Sequence, residues 1–249
     1  MSGRNIGIIT QARMGSTRLL GKMMLEIKGK SLLQYHIERL QKSSLPIYVA
    51  TTDNPADTVI AECASKNGVH FYRGSEDDVL DRYYHCAKKN NLDVIIRVTS
   101  DCPLIDGGII QKAVENYLAF KSNNVHYSCN VKHTLPHGMN FEVFSFLLLE
   151  EAHQKARSTF EREHVTPYII QNISGNVVLK HYTKAKNDSN YRITVDTEED
   201  FLLVKKLIEE YDADKKTMEE IISVFENHPE LILINLQKTP HIWGTGKSA

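Results

Sequence analysis

An apolar run at residues 6–9, Ile-Gly-Ile-Ile, passes directly into Thr10-Gln-Ala-Arg-Met-Gly-Ser-Thr-Arg-Leu-Leu-Gly-Lys22. Continuous apolar residues of that kind read as a strand buried on both faces, as inside a parallel sheet. The loop after it carries Gly15 and Gly21, the hydroxyls of Ser16 and Thr17, and the cations Arg13, Arg18 and Lys22. Glycine lets the backbone come close to a ligand, and backbone N–H groups with fixed cations neutralise phosphate oxygens. Open α/β sheets bind ligands beyond the carboxyl ends of their strands, which is where this loop begins. A solvated turn could have the same composition, but its place straight after the first strand favours a triphosphate cradle. Five residues separate Gly15 from Gly21 and Met23 follows Lys22, so this is not a Walker A loop. No G-x-G-x-x-G is present.

Strand-like segments at 6–10, 47–50, 69–72 and 94–99 alternate with helical patterns. One helix is capped by Ser31 and has Leu32, Leu33, Ile37 and Leu40 on one face. Another starts near Pro55 and stops at Asn67-Gly68. Ser75-Glu-Asp-Asp78 reads as a capping box opening a third, and a fourth spans 109–120. This alternation predicts an α/β fold with a mostly parallel central sheet and helices on both faces. From about residue 125 the rhythm changes. Short strands near 125–128 and 141–144 bracket a loop holding His133, Pro136, His137 and Gly138, and helices follow from Ser145 and from Ser158. Residues 125–175 read as a small insertion over the sheet edge, acting as lid and dimer surface. A strand at 192–195 and two further helices complete a single domain over 1–237, and 238–249 reads as a mobile tail.

A chain of 249 residues can build one sizeable core. Its net charge of −1 gives no bulk attraction to nucleic acid or an anionic membrane. The four cysteines, Cys63, Cys86, Cys102 and Cys129, form no C-x-x-C pair, which argues against a zinc ribbon or a disulfide framework and for reduced thiols. With no signal-peptide pattern and no apolar stretch of spanning length, a cytoplasmic location is expected.

Asp101 lies just past the strand at 94–99, and Asp196 just past 192–195. Both are expected at the edge of the sheet that carries the cradle. Magnesium favours one or two carboxylates together with substrate phosphates and water. Helix capping would explain Asp196 alone and a turn would explain Asp101 alone. Together with the cradle they read as a Mg²⁺ site. Thr51-Thr52-Asp53 after the second strand either bounds the base pocket or forms a turn.

Gln-Ala-Arg-Met-Gly-Ser-Thr-Arg-Leu-Leu-Gly-Lys at 11–22 resembles the opening of the SpsF-like (spore coat polysaccharide) cytidylyltransferases. More distantly, it resembles the enzymes that make CMP-Kdo and CMP-sialic acid. Ser-Asp-Cys-Pro-Leu-Ile-Asp at 100–106 and Arg-Ile-Thr-Val-Asp-Thr-Glu-Glu-Asp-Phe at 192–201 resemble that family's two metal segments. Residues 73–83 and 163–168 also resemble SpsF-type segments. The resemblance implies a glycosyltransferase-A-like nucleotidyltransferase fold, CTP as donor, and Mg²⁺ on Asp101 and Asp196. It places Gln11, Ala12, Arg13, Gly15, Ser16, Thr17, Arg18, Lys22, Thr51, Asp53, Arg73 and Thr99 with the nucleotide. Arg13, Lys22, Asp101 and Asp196 would be catalytic.

Leu20 and Ser100 depart from the family's usual proline and glycine. At 136–142, Pro-His-Gly-Met-Asn-Phe-Glu stands where relatives carry Pro-Asp-Gly and a second aspartate, so His137 and Asn140 remove negative charge. His137, Asn140, Glu142, Glu163 and His164 are candidate contacts to the acceptor, with Glu163-His164 facing either it or a dimer partner. The expected reaction couples CMP to an acidic, 3-deoxy-ulosonic-type sugar in a homodimer. The rivals are a sugar-1-phosphate nucleotidyltransferase, a glycosyltransferase of the same fold and a non-catalytic nucleotide sensor. A zinc site at His126, His133 and His137 is disfavoured, because their spacing lacks cysteine or carboxylate partners.

Overall fold

The computed structural model describes residues 3–236, so the expected tail at 238–249 lies outside the described residues. In chain order the strands and helices are β1 (Ile6–Gln11), the short β2 (Glu26–Ile27) and β3 (Lys30–Ser31), α1 (Leu32–Gln41), β4 (Ile47–Thr52) and α2 (Thr58–Lys66). β5 (His70–Gly74), α3 (Val79–Lys89), β6 (Val94–Thr99), α4 (Gly107–Ala119), β7 (Val125–Ser128) and β8 (Glu142–Ser145) come next. The chain continues with α5 (Phe146–Lys155), α6 (Thr159–His164), α7 (Pro167–Ile170), β9 (Val178–His181), α8 (Glu198–Tyr211) and α9 (Met218–Asn227).

Seven strands form one sheet in the order β5-β4-β1-β6-β8-β7-β9. β5, β4, β1 and β6 pair in parallel, β8 runs against both β6 and β7, and β9 pairs in parallel with β7. Alternation along β1 sets the layers. Ile8 packs with Leu32, Tyr35, Ile110, Leu203 and Ile221 on one face, and Ile9 packs with Leu80, Tyr83, Leu148 and Leu149 on the other. Helices therefore cover both faces, which makes a near-continuous apolar strand stable at the centre.

Four details differ from the sequence reading. Residues 125–175 do not simply lie over the sheet edge, because β7 and β8 are strands of the sheet itself. Residues 192–195 form an extended segment with one parallel bridge, His137 to Arg192, rather than a strand. Asp78 caps α3 by accepting from the Asp81 N–H at 2.9 Å, while Ser75 supports the Asp78 N–H instead of the helix. The β2–β3 hairpin, with Lys28 and Gly29 both at positive φ, is too short to register as a hydrophobic pattern. The helix starts at Ser31, Ser145 and Ser158 lie where the sequence places them, and Thr217 caps α9. No described helix is long and apolar enough to cross a membrane.

Candidate active site

The loop after β1 folds back on itself. The N–H groups of Ser16 and Gly21 both donate to the Met14 carbonyl, at 2.9 and 3.2 Å. Gly21 makes the return possible at φ 66°, a backbone state that side chains rarely adopt. Sequence reading missed the anchor of this loop. Asp57 is buried, accepts the Met14 N–H at 2.6 Å and takes the Thr52 hydroxyl. The tip, with Arg13, Gly15, Thr17 and Arg18, is exposed, and Ser16 is half-buried. Arg13 lies 3.4 Å from Glu76.

Lys22 turns inward. Its Nζ donates to the Val195 carbonyl at 2.7 Å, to Asp196 Oδ1 at 2.9 Å and to Asp101 Oδ2 at 3.4 Å. Burial works against its charge, but the two carboxylates outweigh it and raise its pKa. Asp196 Oδ1 also accepts from Arg18 at 2.9 Å, and Oδ2 from Arg192 at 2.9 Å. Burial disfavours ionised Asp196, yet Lys22, Arg18 and Arg192 hold its carboxyl below the usual range. Asp196 is not a helix cap. Thr197 caps α8 in a capping box with Asp200.

Fully buried Asp200 is a second residue that the sequence did not reveal as part of the site. It accepts from Arg192 Nε at 2.9 Å, from the Asp196 N–H at 3.0 Å and from Asn235 at 2.8 Å. Arg192 is thus aimed at Asp196 by a residue in the first turn of the next helix. The Thr197–Asp200 spacing carries a capping signal, whereas nothing local links Arg192 to Asp200.

Asp101 stands in the turn after β6, and its carbonyl accepts from the Val195 N–H at 2.7 Å and the Thr194 hydroxyl at 3.0 Å. The two aspartates are thereby stitched together through backbone. Helix α1 fixes the same turn. His36 Nδ1 lies 2.9 Å from the Cys102 carbonyl, which can only accept, so Nδ1 carries the proton and Nε2 accepts from Thr10 at 2.9 Å. Thr10 in turn meets Ser100 at 2.8 Å. Burial pushes the His36 pKa down to about 4. Fully buried Arg39 donates to the Leu104 and Ile105 carbonyls at 3.0 and 2.7 Å.

The remaining nucleotide candidates line the same strand ends. Gln11 closes β1 and Thr51 stands next to last in β4, and Gln11 Oε1 and Thr51 Oγ1 are buried without a hydrogen-bond partner among the described residues. Buried polar atoms of this kind call for a ligand or water. Ala12 is buried and Asp53 exposed, its N–H on the Gly74 carbonyl at 2.9 Å. Thr99 Oγ1 lies 3.6 Å from Cys102 Sγ. Arg73 is spent on the loop after β4, donating to the carbonyls of Thr52 and Asn54 at 2.8 and 2.7 Å.

The acceptor candidates are dispersed. His137 sits beside the 192–195 segment, its ring 5.6 Å from that of His133. It lines a cavity of about 210 Å³ with Arg192, Asn190 and Phe225. Burial, then His133 and Arg192, lower its pKa to about 4. Gly138, at φ 108°, lets this loop touch the backbone of Ile193 and Thr194, where a Cβ would come within 2.8 Å. Asn140 is used locally, accepting from the Gly138 N–H at 3.1 Å and donating to Asn130 at 2.9 Å. Glu142 is withdrawn from any acceptor: only 2% of its side chain is exposed, and it is clamped by Arg97 at 2.5 Å and His126 at 2.8 Å. Burial opposes its charge, but Arg97 and His126 bring its pKa down to about 2. Glu163 is exposed on α6, and the His164 ring lies 4.7 Å from that of Phe160.

Residues 7–239 match the family model described as Cytidylyltransferase. The chain belongs to the cytidylyltransferase family. The uncharacterized protein MJ1063 from Methanocaldococcus jannaschii is 39% identical over 92% of this chain and 93% of its own length. The spore coat polysaccharide biosynthesis protein SpsF of Bacillus subtilis is 28% identical over 91% of this chain and 96% of its own. The solved structure of a cytidylyltransferase from Leptospira borgpetersenii superposes with a TM-score of 0.89 at 35% identity, covering 96% of this chain and all of that one. In this cytidylyltransferase Asp101 and Asp196 offer hard carboxylate oxygens at one edge, the donor type that suits Mg²⁺. An ion on Asp196 Oδ1 would compete with Lys22 and Arg18, since both now donate to that oxygen.

Proposed function

We propose that this cytidylyltransferase activates an acidic, 3-deoxy-ulosonic-type sugar by joining CMP to its anomeric hydroxyl, with release of pyrophosphate, for polysaccharide or glycan synthesis. The observation that carries the reading is the convergence of Lys22 on Asp101 and Asp196 beneath a basic loop. That convergence supports reading the cations as phosphate ligands and the two carboxylates as metal ligands. Arg13, Arg18 and Lys22 hold the β- and γ-phosphates and neutralise the charge that grows on pyrophosphate as it leaves. Asp101 and Asp196 would hold Mg²⁺, which would supply Lewis-acid chemistry at the α-phosphate. Gln11 and Thr51, with their unpartnered oxygens, fit a role beside the nucleoside. His137 and Asn140, which replace acids, favour an anionic acceptor. Exposed Phe160 and Ile173 in the 125–175 segment support its use as a homodimer surface.

The test is pyrophosphate release with each of the four nucleoside triphosphates, Mg²⁺ and a panel of acidic sugars, followed by mass spectrometry of the product. CTP with an ulosonic acid should give a CMP-sugar. A CDP-sugar as main product would replace the acceptor by a sugar 1-phosphate. Higher efficiency with GTP or UTP would overturn the choice of base.

A further inference from the structure

On the face of the sheet covered by α3 and α5, three metal-ligating side chains converge away from the nucleotide edge. Asp81 and His85 are one turn apart on α3, and His153 reaches across from α5. His153 Nε2 lies 2.9 Å from Asp81 Oδ1 and His85 Nε2 lies 3.3 Å from the same oxygen, with all three donor atoms within 4.8 Å of one another. Zinc-to-nitrogen and zinc-to-oxygen bonds of about 2.0–2.1 Å at tetrahedral angles separate neighbouring ligand atoms by about 3.3 Å. Two edges of such a coordination polyhedron are therefore already close to length.

The ligands are also held in place. The His153 ring stacks on Tyr84 with centroids 4.0 Å apart and planes within 9°. The His85 ring meets Tyr84 edge-on at 5.0 Å. Arg162 ties the His153 carbonyl, at 2.8 Å, to Asp78 at the start of α3. Preset ring orientation of this kind is what outer partners supply at metal sites. The His85 side chain is 46% exposed, which leaves room for water as a fourth ligand.

We infer that Asp81, His85 and His153 form a site for a borderline divalent cation of the zinc class, separate from the Mg²⁺ carboxylates, which clips α3 to α5. Two imidazoles and one carboxylate select Zn²⁺, Co²⁺ or Ni²⁺ over Mg²⁺, which demands oxygen. The four cysteines are all buried and do not compete.

The experiment is calorimetric titration of the untagged full chain with Zn²⁺, with Mg²⁺ in large excess, alongside metal-free and Zn²⁺-loaded thermal melts. The parent should bind one Zn²⁺ per chain and gain Tm on loading. His85→Gln and His153→Gln should each weaken binding at least tenfold and abolish the Tm gain, while keeping a cooperative melt without metal. His228→Gln, a surface histidine elsewhere, should bind as the parent does. Absence of saturable Zn²⁺ binding in the parent, or equal affinity in both the His85 and His153 variants, would overturn the site. Should His153→Gln fail to fold, the exposed His85→Gln decides alone.

Discussion

Lys22 Nζ lies 2.9 Å from Asp196 Oδ1 and reaches Asp101 Oδ2 at 3.4 Å, so one ammonium spans both carboxylates proposed to hold the metal. A divalent ion and this ammonium compete for the same oxygens. An arriving triphosphate would draw Lys22 and Arg18 onto its own phosphates and free Asp196. Nucleotide and metal are therefore expected to bind together.

Lys22→Ala should separate the two ligands. Loss of a charge-assisted contact of about 1.5–3 kcal/mol should weaken CTP binding roughly tenfold or more, as should Arg13→Ala. Mg²⁺ affinity in the absence of nucleotide should rise in Lys22→Ala, because Asp101 loses its cation and Asp196 one of three. Isothermal titration of both ligands checks this, and unchanged CTP affinity in both variants would defeat the cradle assignment.

Asp101→Asn and Asp196→Asn should cut turnover by at least about a hundredfold, the scale of losing one preorganised electrostatic group. Stability should change little, since Arg192 keeps Asp200 and Lys22 keeps the remaining aspartate. EDTA should silence the parent and added Mg²⁺ restore it. Activity that survives EDTA would remove the metal from the mechanism.

Glu142→Ala should act on folding rather than on the acceptor. It strands buried Arg97 without its partner, an error that costs about 3–5 kcal/mol in denaturant unfolding. A raised KM for the sugar at unchanged stability would return Glu142 to the substrate.

Stability should fall as the solution is acidified, partly through His36. Its folded pKa of about 4 lies below the ordinary 6.5, so the fold favours the neutral ring. This contribution is complete above about pH 6.5 and is lost as pH drops towards 4, because only the unfolded chain takes up the proton. The full span is about 3 kcal/mol. Urea unfolding at stepped pH should show a shallower slope across this window in His36→Gln than in the parent, and identical slopes would assign the acid sensitivity elsewhere.

The sequence by itself determined the parts governed by local pattern. Apolar strands too hydrophobic for a surface, capping residues such as Ser31 and Ser158, and the glycine-rich basic loop after β1 all depend on neighbours within a few positions. Positions just past two strands singled out Asp101 and Asp196 as candidates, and motif resemblance added the family. Tertiary structure decided the rest, because burial and pairing join residues far apart in the chain. Glu142 looks like an acceptor contact until β8 inserts between β6 and β7 and buries it against Arg97. Asp57 and Asp200 look like ordinary turn and capping acids until one accepts the Met14 N–H and the other aims Arg192 at Asp196. Asp196 is free of the capping that it could have supplied, since Thr197 caps the helix and leaves its carboxylate to three cations brought from residues 18, 22 and 192. Periodicity reports which face of an element is apolar, but the partner of a charge is fixed only when the sheet brings distant strand ends to one edge.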